Sequence, residues 1–254
     1  MKKICIISAD PGFIGGVSLY TWSIVNHLKN KKEYEVFWVY SGGKNKVYKK
    51  EGVTFVELKS SARYPFNEIL FNFKVKKFLE KNYFDVINSH AIWALWIKFY
   101  DKKAYQKVAH TYHGSTYHFF KNHFKRPGII KKSVSLLSSL LGFFMEKPPW
   151  EKADRIICVS EHVKKELESL YGKRKNVGVI SASVNLKQFK PRNKIHTKRR
   201  VGLDQNKWYG LYVGRGGYWT KGLDRVVEVS KNIHKLDKKF RLIVIGPDKD
   251  KIGN

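Results

Sequence analysis

The chain has 254 residues, room for one to two domains and a sizeable core, and its 43% hydrophobic and 15% aromatic content excludes a disordered or fibrous polymer. Fifty Lys and Arg against twenty-one Asp and Glu leave a formal charge of +29, a field that attracts phosphates, nucleic acid and acidic lipid without choosing among them. Two cysteines, Cys5 and Cys158, each inside an apolar run, exclude a disulfide framework and a CxxC metal site, so reduced, cytoplasmic chemistry is expected.

The N-terminal MKKICIISAD turns polar at Ser8 after a short apolar run and reads as a first strand over residues 3–8 rather than as a leader. Runs rich in Val, Ile and aromatics follow at 34–40, 53–58, 85–89, 107–111, 155–160 and 177–181. Apolar on both faces, they suit parallel strands covered by helices. Between them, Val17, Tyr20, Ile24 and Leu28 form one helical stripe, and Phe71, Val75, Phe78 and Leu79 another. Strand alternating with helix predicts an α/β, doubly wound, Rossmann-like sheet.

The stretch 128–150 is interrupted by Lys131, Lys132, Glu146 and Lys147, so no membrane span is expected. Its apolar part, 129–144, flanked by Lys125, Arg126, Lys131 and Lys132, reads either as a buried helix of the first domain or as a surface helix for an anionic membrane. Residues 187–200 are dense in charge, and a linker is expected over 187–206. A βαβ unit then follows, with strands at 208–214 and 240–246 around a helix at 223–234. The expected domains are 1–186 and 207–254, the second being the start of a larger domain, because two strands and one helix cannot bury both faces of a sheet.

Three places can carry chemistry. The first strand feeds a glycine-bearing loop, with Gly12, Gly15 and Gly16 ahead of a helix, where free N–H groups and the helix dipole favour an anion. Neither GxGxxG nor GxxxxGK[ST] occurs, and a simple tight turn is the alternative reading. The second is HTYHGSTYHFFKNH, in which His113 and Gly114 follow a strand's carboxyl end, where open α/β sheets place ligands. His110 and His113 stand three apart without a nearby carboxylate, so no metal is expected, and His118 and His123 are expected to be neutral to function. The third is VGRGGYWTKGLD, where Arg215 and Lys221 converge on a helix N-terminus suited to a diphosphate. Gly16, His90 and His113 each follow a predicted strand and are expected on one rim.

In order and spacing these segments resemble the retaining glycosyltransferases of the GT-B fold, family four. GGVSLYTWSIVNHL resembles that family's glycine loop and first helix, DVINSH and HTYHG its histidine segments, ADRIICVSE a late strand of its first domain and VGRGGYWTKGLD its donor-phosphate motif. VISASVNLKQFKP resembles its crossover, with Ala182, Ser183, Val184 and Asn185 replacing the usual Asn-Gly-Val-Asp. The family's paired glutamates would lie beyond the last strand, so the chain is expected to be C-terminally truncated. The resemblance implies a hexosyltransferase moving sugar from a nucleotide-diphosphate sugar to a sugar or lipid-linked glycan acceptor, with retained configuration and no cofactor. It implies that Arg215 and Lys221 hold the diphosphate, that Gly15 and Gly16 bring backbone near it, and that His113 is catalytic at the reaction centre. It also implies glycan biosynthesis in the cytoplasm or at the inner membrane face. The alternative is a non-catalytic basic module docking on membrane or nucleic acid, of which nucleic acid is not expected because no recognition motif accompanies the charge.

Overall fold

A computed structural model describes residues 1–12, 15–60, 66–115, 129–214 and 221–246, with the side chains of 129–139 and 141 excepted. The chain divides into two compact units, 1–183 and 184–254.

Unit 1 is an eight-stranded sheet in the order β3-β4-β2-β1-β5-β6-β7-β8. The strands are β1 (Lys2–Ile7), β2 (Tyr34–Gly42), β3 (Lys46–Lys50), β4 (Val53–Lys59), β5 (Val86–His90), β6 (Lys107–Tyr112), β7 (Arg155–Cys158) and β8 (Val177–Val179). All neighbours pair in parallel except β3, which runs antiparallel to β4 at the edge. Alternate residues feed two cores. Cys5, Ile7, Val39 and Val56 face one side, with Phe71, Val75 and Leu79 from α2 (Phe66–Lys81). That side also holds Trp96 of the 3₁₀ turn Leu95–Phe99, Trp150 of α3 (Ile129–Lys152) and Leu167 of α4 (Glu161–Tyr171). Ile4, Ile6, Val36, Trp38 and Phe55 face the other side, under Val25 and Trp22 of α1 (Gly16–Leu28).

Two boundaries differ from the sequence reading for local reasons. Strand β7 stops at Cys158 because Ser160 caps α4, its side chain accepting from Val163 N at 3.2 Å, a bond of the kind worth about 1 kcal/mol. Helix α3 continues past Phe144 through Pro148 and Pro149. Prolines there cost hydrogen bonds to preceding carbonyls, and the buried Met145 and Trp150 on either side offset that loss. Both thiols are buried within the core; burial pushes Cys5 far up and Cys158 up to about 11, so neither is a reactive thiolate.

Unit 2 contains α5 (Lys194–Arg200), then β9 (Trp208–Val213), α6 (Leu223–Leu236) and β10 (Phe240–Ile245). Strands β9 and β10 pair in parallel from Trp208 opposite Phe240 to Val213 opposite Ile245, forming one βαβ unit. Helix α5 lies inside the stretch expected to be a linker, started by Asn193, whose side chain accepts from His196 N at 3.0 Å. The strand ends approach so closely that a Cβ on Gly246 would lie 2.0 Å from the carbonyl oxygen of Gly214.

Candidate functional site

Three adjacent parallel strands of unit 1, β1, β5 and β6, end at one edge of the sheet, and that edge receives Gly16, His90 and His113. The loop leaving β1 is held at several points. Trp38 Nε1 donates to Ala9 O at 3.1 Å, Trp22 Nε1 to Pro11 O at 3.1 Å and Ser18 Oγ to Asp10 O at 3.2 Å. Ser8 Oγ, 2.7 Å from Thr21 Oγ1, ties the end of β1 to the helix. Helix α1 starts from Gly15 in extended conformation, with no side-chain cap and no acidic residue in its first turn. Its leading N–H groups and dipole are thus offered without a competing carboxylate. A Cβ built on Gly16 meets nothing within 4 Å among the described residues, so that side of the helix start is open to them.

His90 ends β5 fully buried, and its Nδ1 lies 3.0 Å from Nε2 of His113, just beyond β6. Tyr20, one turn into α1, presents its ring edge-on to both, with centroids 6.0 Å from His90 and 5.0 Å from His113. Its hydroxyl donates to Ile180 O at 3.1 Å, tying α1 to the segment after β8. Directly after His90, Ala91 holds a φ of +50°, an unfavourable conformation for a residue with a Cβ, and its N–H bonds Thr111 O at 3.0 Å.

Burial holds His113 neutral, with its pKa lowered to about 4. Burial, then the neighbouring His113 and His110, push His90 well below the ordinary range. The shared proton can be assigned. Among the described residues the buried His90 Nε2 has no hydrogen-bond partner, and a buried orphan N–H is rarer than a buried orphan acceptor. His90 therefore carries its proton on Nδ1 and donates to His113 Nε2, which leaves the neutral His113 with its N–H on Nδ1. That N–H can donate to a ligand oxygen.

His110 faces the opposite side of the sheet, as its spacing from His113 implied, with Nδ1 2.8 Å from Ser89 Oγ and its ring edge-on to Tyr112. Burial lowers its pKa to about 3. Among the described residues no group of three His, Cys, Asp or Glu could hold a metal ion. His118 and His123 lie outside the described residues.

In unit 2, α6 begins at Gly222, whose φ of +70° places it in the left-handed region that glycine adopts without strain. Gly222 offers no side-chain cap to that helix start, and the exposed Lys221 stands immediately before it. Arg215 lies outside the described residues, so the pairing of the two cations is not part of the observed geometry. Asp224 occupies the first turn of α6, with Oδ1 buried and, among the described residues, without a hydrogen-bond partner. The sequence reading omitted Asp224, although an acid two residues into a predicted helix was visible. It also gave Tyr20 only a core role. A half-buried carboxylate, Glu68, accepts from Trp93 Nε1 at 2.6 Å and Asn67 Nδ2 at 3.1 Å; burial raises its pKa.

The family model for Glycosyltransferase Family 4 matches residues 14–188. No curated protein matches the chain. Among solved structures, sucrose-phosphate synthase from Thermosynechococcus elongatus is similar with a TM-score of 0.66 and 15% identity, over 96% of this chain and 70% of that one. Anabaena HepE, solved with UDP and glucose, aligns with a TM-score of 0.62 and 11% identity, over 99% of this chain and 64% of that one. UDP-N-acetylglucosamine 2-epimerase from Rickettsia bellii aligns at 0.55 and 14%, over 99% and 63%. These likenesses establish the GT-B class of α/β fold, and the chain spans roughly two thirds of the length of such structures.

Proposed function

The chain belongs to Glycosyltransferase Family 4, and from that premise we propose that it takes part in transfer of a hexosyl group from a nucleotide-diphosphate sugar to an acceptor hydroxyl, with retention at the anomeric carbon. The observation that carries the reading is the rim itself: an uncapped helix start and a pre-oriented neutral histidine on adjoining parallel strands. HepE bound to UDP and glucose supports a nucleotide-sugar donor by analogy of fold.

His113 is the catalytic residue of this proposal, acting as a hydrogen-bond donor through Nδ1–H to a sugar oxygen at the reaction centre. A histidine with its pKa near 4 is a poor proton acceptor at neutral pH, so general-base work does not fall to it. The anomeric carbon breaks its bond to the diphosphate oxygen and forms one to the acceptor oxygen on the same face, while the acceptor proton leaves with the departing diphosphate. Lys221, Arg215 and the start of α6 would stabilise the charge developing on that group, while within unit 1 Gly15 and Gly16 would let an anionic ligand approach the start of α1. The sugar or lipid-linked glycan acceptor and a role in cytoplasmic glycan biosynthesis belong to the same proposal.

The test is proton NMR of the chain incubated with UDP- and GDP-hexoses and simple glycoside acceptors. A new glycosidic signal of unchanged anomeric configuration is expected. An inverted product, or an epimerised sugar without transfer, overturns the reading.

A further inference from the structure

We propose that the outer face of unit 1 formed by α2, the 3₁₀ turn and the C-terminal half of α3 docks on an anionic lipid bilayer. This face lies on the other side of the sheet from α1 and its histidine rim. Helix α2 carries two apolar stripes. One, with Phe71, Val75 and Leu79, is buried in the core; the other, Phe66, Leu70 and Phe73 at helical spacing, points to solvent. Phe73, 46% exposed, stacks on Phe99, 47% exposed, with ring centroids 6.0 Å apart. The strip then continues onto α3 through Phe144, 66% exposed, and Leu140 one turn before it, 59% exposed.

Lysines are threaded through this apolar strip. The ammonium of Lys98 lies 5.7 Å from the Phe99 ring and 4.7 Å from the Phe144 ring, and no carboxylate pairs with it among the described residues. A cavity of about 530 Å³ opens beside it, walled by Phe99, Phe143, Phe144 and Tyr171. Lys147 and Lys152 also line it, Lys147 being paired with Glu151 at 3.4 Å. Folded chains rarely leave a large contiguous apolar area in water, and aromatic rings interleaved with lysines fit the boundary between acyl chains and acidic headgroups.

Charge complementarity selects the occupant. A second copy of a chain carrying +29 would bring lysines against lysines. Single-stranded nucleic acid is held by cations tracking its backbone and aromatics stacking its bases, whereas leucine and phenylalanine on helix faces around an apolar cavity suit lipid chains. Of the stretch 129–144, which the sequence leaves open between a buried helix and a membrane-surface helix, residues 140 and 144 carry this inference; the side chains of 129–139 lie outside the described residues.

Cosedimentation of the whole chain with vesicles tests it, and the readout is independent of sugar transfer. Binding is expected to vesicles of phosphatidylcholine containing phosphatidylglycerol and not to phosphatidylcholine alone. Phe99→Ser with Phe144→Ser should lower the vesicle partition coefficient about tenfold, and Phe144→Ser alone should lower it less, while Val47→Ser on the far edge strand leaves it unchanged; a tenfold loss corresponds to about 1.4 kcal/mol. Lys98→Glu should also weaken binding to the acidic vesicles. Equal binding to neutral vesicles, wild-type pelleting by the double variant, or retention on single-stranded DNA that the double variant loses while still pelleting with vesicles would each overturn the proposal.

Discussion

Nδ1 of His90 and Nε2 of His113 stand 3.0 Å apart, the first fully buried at the end of one strand and the second at the mouth of the next. The buried ring fixes the tautomer of the outer one. His113→Ala is expected to lower transfer at least a hundredfold, beyond the loss of stability of about 1–3 kcal/mol that follows from leaving the buried His90 Nδ1–H unpaired. Steady-state kinetics beside thermal melts decide it: parallel losses of activity and stability would mark a structural histidine.

His90 is a positioning residue in this arrangement. His90→Asn, which keeps a polar group but displaces the shared proton, should lower kcat more than it raises KM, and it should cost stability as well because it leaves space in a packed site. Changes confined to KM would argue against orientation of His113.

Acid sensitivity follows from the same cluster. In the unfolded chain these histidines titrate near 6.5, whereas in the fold His113 is lowered to about 4 and His110 to about 3. The unfolded state binds more protons between those values. Stability is therefore complete above about 6.5 and is lost as pH falls through about 4, with His113 alone accounting for about 3 kcal/mol. Melting curves from pH 7 to pH 4 should show that decline, and His113→Asn should flatten part of it. An unchanged slope in the variant would contradict the assignment.

Parallel strands apolar on both faces were legible because burial on two sides leaves an unmistakable run, as in the ICII of β1 and the VFWVY of β2. Strand β3 was not, since KVYKK sits on the sheet edge with four of its five residues exposed and has no burial pattern to display. Helix α5 escaped for a similar reason: no residue of KIHTKRR is buried, so its cap at Asn193 was the only signal. The rim was foreseeable from strand ends, one residue type at a time. Its wiring was not, because His90 and His113 are 23 positions apart and Tyr20 reaches both from a helix whose pattern marks it only as core.

Gly16→Ala separates backbone economy from function. A Cβ there meets nothing within 4 Å among the described residues, and alanine favours a helix over glycine by about 1 kcal/mol, so the melting temperature should hold or rise. Binding of a nucleoside diphosphate should nevertheless weaken, because the methyl group occupies the open approach to the helix start. Calorimetric titration of both proteins checks this, and unchanged affinity would leave Gly16 with a turn-forming role only.

The phosphate clamp is the last expectation, and it rests on Lys221 before the uncapped start of α6 together with Arg215 six positions earlier in the sequence. A charge-assisted hydrogen bond contributes about 1.5 to 3 kcal/mol, so Lys221→Ala or Arg215→Ala should weaken binding of uridine or guanosine diphosphate by about one to two orders of magnitude. Arg215→Lys should not restore it, because the charge survives but the two-pronged geometry does not. Asp224 sharpens the test: its carboxylate lies in the same first turn and repels a diphosphate, so Asp224→Asn should tighten binding severalfold if the ligand sits at this helix start. Calorimetry on the four variants distinguishes the cases, since affinity that survives both cation substitutions and ignores Asp224 would put the diphosphate somewhere other than the start of α6.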